Sequence, residues 1–349
     1  MPARGCSDHA VRRPLASVLG AVLALLAAAR ADGLDPGAVR KAAAYSAECR
    51  GLSMLVEQHG RVIFEEYPNG HSAGEAHKIY SGTKAFWNLA ALAAVQDGIL
   101  DLDERVAATL PEWRGDARKS RVTLRMLLDF SCGLEPGVFL HRENFANRAH
   151  AALELPLVAE PGRVFLYGPS GLQIFHEVLK RKLATRRETP TGFLEHRVLR
   201  PLGLGPQRYL KDDAGSPLLA SGWMLTAREW ARMGRVALAD GAPVLSRGSM
   251  AMYFRGSAAN RAFGFGWWNN RAGSRGREFD LEDMLERDWR RQDWRGATIC
   301  RDAPADLVAC VGSGYQRLFV IPSLDLVIVR QGAGGKFSDG RFLRLMLGK

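Results

Sequence analysis

The sequence predicts an α/β (α+β) fold in which one antiparallel sheet is built from both chain ends, flanked by helices, with a helical subdomain inserted between the two sets of strands. Three observations predict it. An alternating apolar and polar hairpin pattern lies near the start, in SMLVEQHGRVIFEEY; helical periodicity then dominates to about residue 240; and short apolar runs broken by Gly, Pro and Asp return from about residue 262. Strand-like segments at both ends with helices between them require the chain to leave a sheet and come back to it. At 349 residues and 47% hydrophobic composition the chain can bury a sizeable core, as one large domain or two intertwined ones, and disorder along its whole length is excluded.

The first element is an expected export signal over residues 1–31. Arg12 and Arg13 precede PLASVLGAVLALLAAA, and Ala29-Arg30-Ala31 supplies a small-x-small cleavage site, so the mature chain is expected to begin near Asp32 and to be periplasmic or secreted. The apolar run is shorter than the ~18 residues of a membrane span. No cysteine follows it to carry a lipid anchor, since Cys6 lies ahead of it. Residues 32–349 are expected to divide into an α/β part, 32–80 and 255–349, and a mainly helical part, 81–254.

PGAVRKAAAYSAECR reads as a helix, and His59-Gly60 as the turn of a β-hairpin. YSGTKAFWNLAALAAVQDGIL then opens a long apolar helix at Ser81. Helical spacing recurs in VTLRMLLD, SGLQIFHEVLKRKL, TGFLEHRVLRPLG and TAREWARMGRVALAD, each bounded by Gly, Pro or Ser/Thr. FGFGWWNN, DLVACVG, QRLFVIP and LDLVIVRQG read as strands, and GRFLRLML as a closing helix.

The formal charge is +11, and it stays basic when Arg4, Arg12, Arg13 and Arg30 of the leader are set against Asp8. The arginines are scattered rather than gathered into a stripe, which reads as a solvated face. For an exported chain nucleic acid is a poor partner, whereas loose, salt-sensitive association with an anionic cell envelope is an expectation. Composition does not fix the oligomeric state. The histidines lack metal-ligand spacing: His176-Glu177 has no second histidine one turn on, and His59 and His71 lie in or near turns, so neither a metal nor another cofactor is expected. Cys49, Cys132, Cys300 and Cys310 follow the leader; Cys300 and Cys310 either bridge a hairpin or remain buried thiols.

Chemistry concentrates at Ser81 and Lys84. In a helix starting at Ser81, positions i and i+3 share a face, so hydroxyl and ammonium come within hydrogen-bonding reach. The helix N-terminus also favours a developing oxyanion. For Lys84 to take the serine proton at neutral pH its pKa must fall from about 10.4 to near 7, at a cost of about 4 kcal/mol that burial or a neighbouring group has to supply. Phe86, Trp87, Leu89 and Ala90 offer an apolar setting. Ser-x-x-Lys recurs by chance, and its bland form is an N-cap serine beside a solvated lysine. Context distinguishes this one: the pair opens a long helix after a hairpin, and Tyr167, in the turn FLYGPSG, can project a phenol into a cleft.

YSGTK, VTLRMLLDFSCGLEPG, the tyrosine of FLYGPSG, SGWMLTAREWARMG, FGFGWW and GSGYQRLFVIPSLDLVIV occur in an order and spacing that resembles the class C β-lactamase-like serine hydrolases over most of the mature chain. That family includes class C β-lactamases, penicillin-binding DD-peptidases, family VIII carboxylesterases and 6-aminohexanoate-dimer hydrolase. The resemblance implies a β-lactamase/transpeptidase-like fold. It implies Ser81 as the acylated nucleophile, with Lys84 and Tyr167 relaying its proton, without deciding which of the two is the base.

By the same resemblance the family's third motif falls on Cys310-Val311-Gly312, with Gln316 four residues beyond as in esterase-like members. The backbone N–H groups of Ser81 and Ser313 would then form the oxyanion hole, and Gly312, Gly314 and Tyr315 would contact substrate; an anchor shifted to Gly312-Ser313-Gly314 would move the second donor to Tyr315. Trp223, Trp267 and Trp268 are candidates for an apolar, substrate-contacting cleft wall, with core packing an equal reading for each. Two departures bear on substrate. Pro169 stands where β-lactamases and peptidases carry asparagine, and Cys310 stands where they carry the cationic lysine. An esterase or amide hydrolase for small substrates is therefore expected. The alternatives are a weak β-lactamase or DD-peptidase and, from another class, a non-catalytic envelope-binding relative.

Overall fold

His59 and Gly60 take φ of 52° and 70°, the paired left-handed geometry of a tight two-residue hairpin, and join β1 (Gly51–Gln58) to β2 (Arg61–Glu66). The computed structural model describes residue 1 and residues 33–207, 209–285, 288 and 292–349; the expected leader falls, apart from Met1, outside the described residues. Asp35 caps α1 (Pro36–Glu48) by accepting the Ala38 N–H at 2.8 Å, so the first predicted helix starts at its Asp-Pro signal.

β3 (Phe263–Gly264), β4 (Trp267–Asn269), β5 (Val308–Gly312), β6 (Gln316–Ile321) and β7 (Leu326–Gly332) complete a seven-stranded sheet of order β2-β1-β7-β6-β5-β4-β3. Every pairing in it is antiparallel. The first and last long strands are neighbours, with Met54 opposite Arg330, so the sheet is assembled from both chain ends as its texture predicts.

Adjacent residues of β6 show how the layers form. Leu318 faces α4 (Ala227–Leu238), whose Gly234 lies so close to the sheet that a Cβ there would sit 2.5 Å from Val327 Cγ1. Phe319 faces the opposite side and stacks on Phe342 of α5 (Asp339–Met346), beside the Tyr45–Phe337 stack that ties in α1. With helices on both faces, β6 and β7 are buried at every position, which is why their sequences run apolar without strict alternation. The β2 edge is wet: Val62 and Ile63 stand well exposed.

α4 starts at a capping box in which Thr226 and Glu229 satisfy each other's backbone N–H. Although it lies within 81–254, it packs on the sheet, because its apolar stripe matches the β6–β7 surface. The rest of that span surrounds α2 (Thr83–Gln96) and α3 (Ser170–Ala184). α2 is buried from Thr83 to Ala94 on every side, the pattern of a central helix. Among the described residues no helix is long and apolar enough to cross a membrane.

The hairpin bridge weighed for Cys300 and Cys310 does not form. Both are buried free thiols in different surroundings: Cys300 Sγ lies 3.8 Å from the Gly340 carbonyl, and Cys310 Sγ lies 3.6 Å from that of Gly82.

Candidate active site

Ser81 does not open the α-helix directly. Tyr80–Gly82 forms a 3₁₀ turn, and α2 begins only at Thr83, because Tyr80 takes φ of +45°, a left-handed conformation costly for a residue with a side chain. Surrounding contacts fix the turn: Ile79 N–H donates to the Trp223 carbonyl at 3.1 Å, and Gly82 N–H to the Ile79 carbonyl at 2.9 Å. The end of β5 presses on it from the other side. A Cβ at Gly312 would lie 2.0 Å from the Ile79 carbonyl oxygen, backbone against backbone. Gly312→Ala is therefore expected to destabilise the fold by about 3 kcal/mol or more. A thermal melt within a degree of wild type would show that the two segments part without cost.

Lys84, one helical turn on, donates from Nζ to Ser81 Oγ at 2.8 Å and to the Ala220 carbonyl at 2.9 Å, and is only 1% exposed. Burial disfavours the ammonium and brings the Lys84 pKa down to about 7. The Tyr167 ring lies over the same amine, with its centroid 4.8 Å from Nζ, and its phenol is turned toward Ser81. Burial raises the phenol well above its ordinary value; the Ser81 contact only partly offsets this, so Tyr167 stays protonated at neutral pH. Cys310 lies beneath, and burial pushes its thiol up to about 12. An uncharged thiol therefore occupies the position where the resemblance would place a cation.

Ser81 and Tyr167 open onto a cleft of about 850 Å³. Ser81, Tyr167 and Ser313 line it together, so the expected nucleophile, phenol and second oxyanion donor share one space. Pro169 lines it too and offers no side-chain hydrogen bond. Val138 and Phe139 form part of its wall and are 59% and 38% exposed. Lys78 and Glu143, also lining the cleft, pair across 3.2 Å with both side chains in solvent.

The other expected contacts lie elsewhere. Trp223 is 1% exposed and packs on Phe86 with ring centroids 4.5 Å apart, which makes it core beneath the cleft rather than its lining. Trp267 and Trp268 are likewise buried, Trp268 against Phe263 and Trp294. Gly312 supplies the close approach to Ile79. Gly314 donates its N–H to Glu282 at 2.9 Å, and Tyr315 sits against Phe337.

Three polar groups escaped the sequence reading. The Ala220 carbonyl holds Lys84 from 136 positions away. His141 and Ser221, 80 positions apart, bond through Nδ1 and Oγ at 2.9 Å on the cleft wall. Burial, with Lys84 and Arg148 nearby, brings the His141 pKa down to about 3, so it presents a neutral imidazole. No local motif signals contacts of such range. Elsewhere, Glu278, Cys300 and Asp302 converge, but the Arg344 guanidinium already pairs with both carboxylates.

Residues 38–331 match the family model described as Beta-lactamase. Lovastatin esterase of Penicillium rubens is 25% identical over 204 residues, covering 50% of this chain and 50% of that protein, so the match spans about half the length of that relative. EstCE1, a hydrolase with promiscuous acyltransferase activity, superposes with a TM-score of 0.61 at 18% identity over 89% of this chain and 95% of its own. A D-stereospecific amidohydrolase from Streptomyces sp. gives 0.62 at 15% identity, over 90% and 99%. At these identities the structural likenesses concern the fold.

Proposed function

The chain belongs to the beta-lactamase family of hydrolases and has the β-lactamase/transpeptidase-like fold, and from that premise we propose that it is a serine hydrolase acting through an acyl-enzyme on small esters or amides. The observation that carries the reading is the buried 2.8 Å contact between Lys84 Nζ and Ser81 Oγ, with the amine near neutrality and the Tyr167 phenol over it.

Ser81 Oγ attacks the substrate carbonyl carbon as its proton passes to neutral Lys84. Tyr167, protonated in the resting site, hands its proton to the leaving alkoxide or amine, passes through the phenolate and is reprotonated from Lys84. The backbone N–H groups of Ser81 and Ser313 receive the oxyanion, a contribution of about 3 kcal/mol per donor. Water then releases the acyl group by the reverse traffic. Export by the residue 1–31 leader is part of the proposal and rests on the sequence alone.

Esters rank above β-lactams because Pro169 and Cys310 stand at the two positions where the resemblance places groups that hold a β-lactam. An asparagine-type hydrogen bond is worth about 1 kcal/mol and a cationic contact to carboxylate about 2 kcal/mol, together about 100-fold in kcat/KM. The test is a panel of p-nitrophenyl acyl esters and linear amides run beside nitrocefin on the purified protein. Esters are expected to exceed nitrocefin by about that factor. Comparable nitrocefin turnover would favour a β-lactamase instead, and absence of fluorophosphonate labelling at Ser81 would favour a binding protein that keeps the fold alone.

A further inference from the structure

The residues 313–315 turn, which carries the second oxyanion N–H of the proposed site, is held from behind by a buried ionic frame. Arg317 has no solvent exposure. Its Nη1 donates to the carbonyls of Gly312 and Gln316, the two residues flanking the turn, at 3.2 and 3.1 Å. Its Nη2 donates to Glu282 Oε2 at 3.1 Å, and Glu282 Oε1 accepts the Gly314 N–H at 2.9 Å. Its Nε pairs with Asp339 Oδ1 at 2.6 Å, and Asp339 Oδ2 accepts the Leu281 N–H at 2.8 Å.

A turn of three residues between antiparallel strands does not need a charged frame merely to close. This one also contains Tyr315 at φ of +64° and Gly314 at φ of +73°, so the direction of the Ser313 N–H depends on what restrains its neighbours. Glu282 is the link with reach: it belongs to the segment Leu281–Leu285, whose Met284 lines the cleft.

We propose that Glu282 is a positioning residue, which aims the Ser313 N–H at the developing oxyanion through Arg317 and Gly314 and couples that aim to the cleft wall bearing Met284. The inference rests on the reading of Ser81 and Ser313 given above. A misaimed donor weakens the transition state while leaving ground-state binding nearly intact.

The experiment begins with fluorophosphonate labelling of wild-type Ser81; no labelling would overturn the parent reading, and this proposal with it. On labelled-competent protein, Glu282→Ala is expected to lower ester kcat by about 10- to 100-fold with KM within about threefold, and to weaken a boronate transition-state analogue by the same factor as kcat. Glu282→Gln keeps an acceptor for the Gly314 N–H but loses the ion pair with Arg317, so its kcat should fall between the two. A wild-type kcat in either folded variant, or a change confined to KM, would overturn the assignment. Should Glu282→Ala not fold, the Glu282→Gln kcat decides alone.

Discussion

Ser81→Ala is expected to abolish covalent labelling by a fluorophosphonate and to lower ester turnover by about 10⁴-fold or more, with the melting temperature nearly unchanged. The size of the loss follows from the chemistry: without Oγ there is no acyl-enzyme, and what remains is the oxyanion donors assisting direct attack by water. The unchanged stability follows from the surroundings. Removing Oγ deprives Lys84 of one acceptor at 2.8 Å, but the Ala220 carbonyl still accepts from it at 2.9 Å, so the buried amine keeps a partner. Labelling by mass spectrometry, ester kinetics and a thermal melt together check it. Ester hydrolysis retained in the variant would remove Ser81 as nucleophile. A collapse of the melting temperature would instead place the hydroxyl in the architecture of the turn.

How much of this was legible depended on how local each cause is. The His59-Gly60 hairpin and the α4 helix could be read because a left-handed pair and a Thr-x-x-Glu box each act within four residues. The sheet built from both termini could be read because strand texture survives at each end. Ser81 and Lys84 were legible as neighbours through the i, i+3 spacing, and the later start of α2 was not, since the left-handed Tyr80 follows Ile79, which Trp223 and Gly312 contact from distant parts of the chain. Whether Trp223 lines the cleft or packs in the core stayed open for the converse reason. Composition shows an aromatic but not which side of the α2 layer it fills, and Phe86 takes it into the core. His141, Ser221 and Glu282 carried no signal at all, because what gives each its setting is a partner 32 to 80 positions away.

Lys84→Met is expected to lower ester kcat/KM by about 10³-fold or more while making the protein relatively more stable as pH falls. The wild-type profile sets the first half. The amine accepts the serine proton only when uncharged, so activity should rise with pH through about 7, the value to which burial brings Lys84, and level off above it. Because Lys84 and Tyr167 exchange protons, that midpoint belongs to the pair.

The second half is linkage. Unfolded, the amine holds its proton up to about 10.4; folded, it releases it near 7, so between these values the unfolded state binds more protons and stability climbs with pH. Below 7 the folded protein bears the full cost of a buried ammonium. Methionine has no proton to release, so its stability relative to wild type should decline from pH 6.5 to pH 9 by about 2.5 kcal/mol, whatever constant loss comes from the Ala220 carbonyl it leaves unpaired. Urea unfolding of both proteins at the two pH values measures it. A difference that stays flat would mean that the wild-type amine is charged in the folded state and that something other than Lys84 deprotonates Ser81.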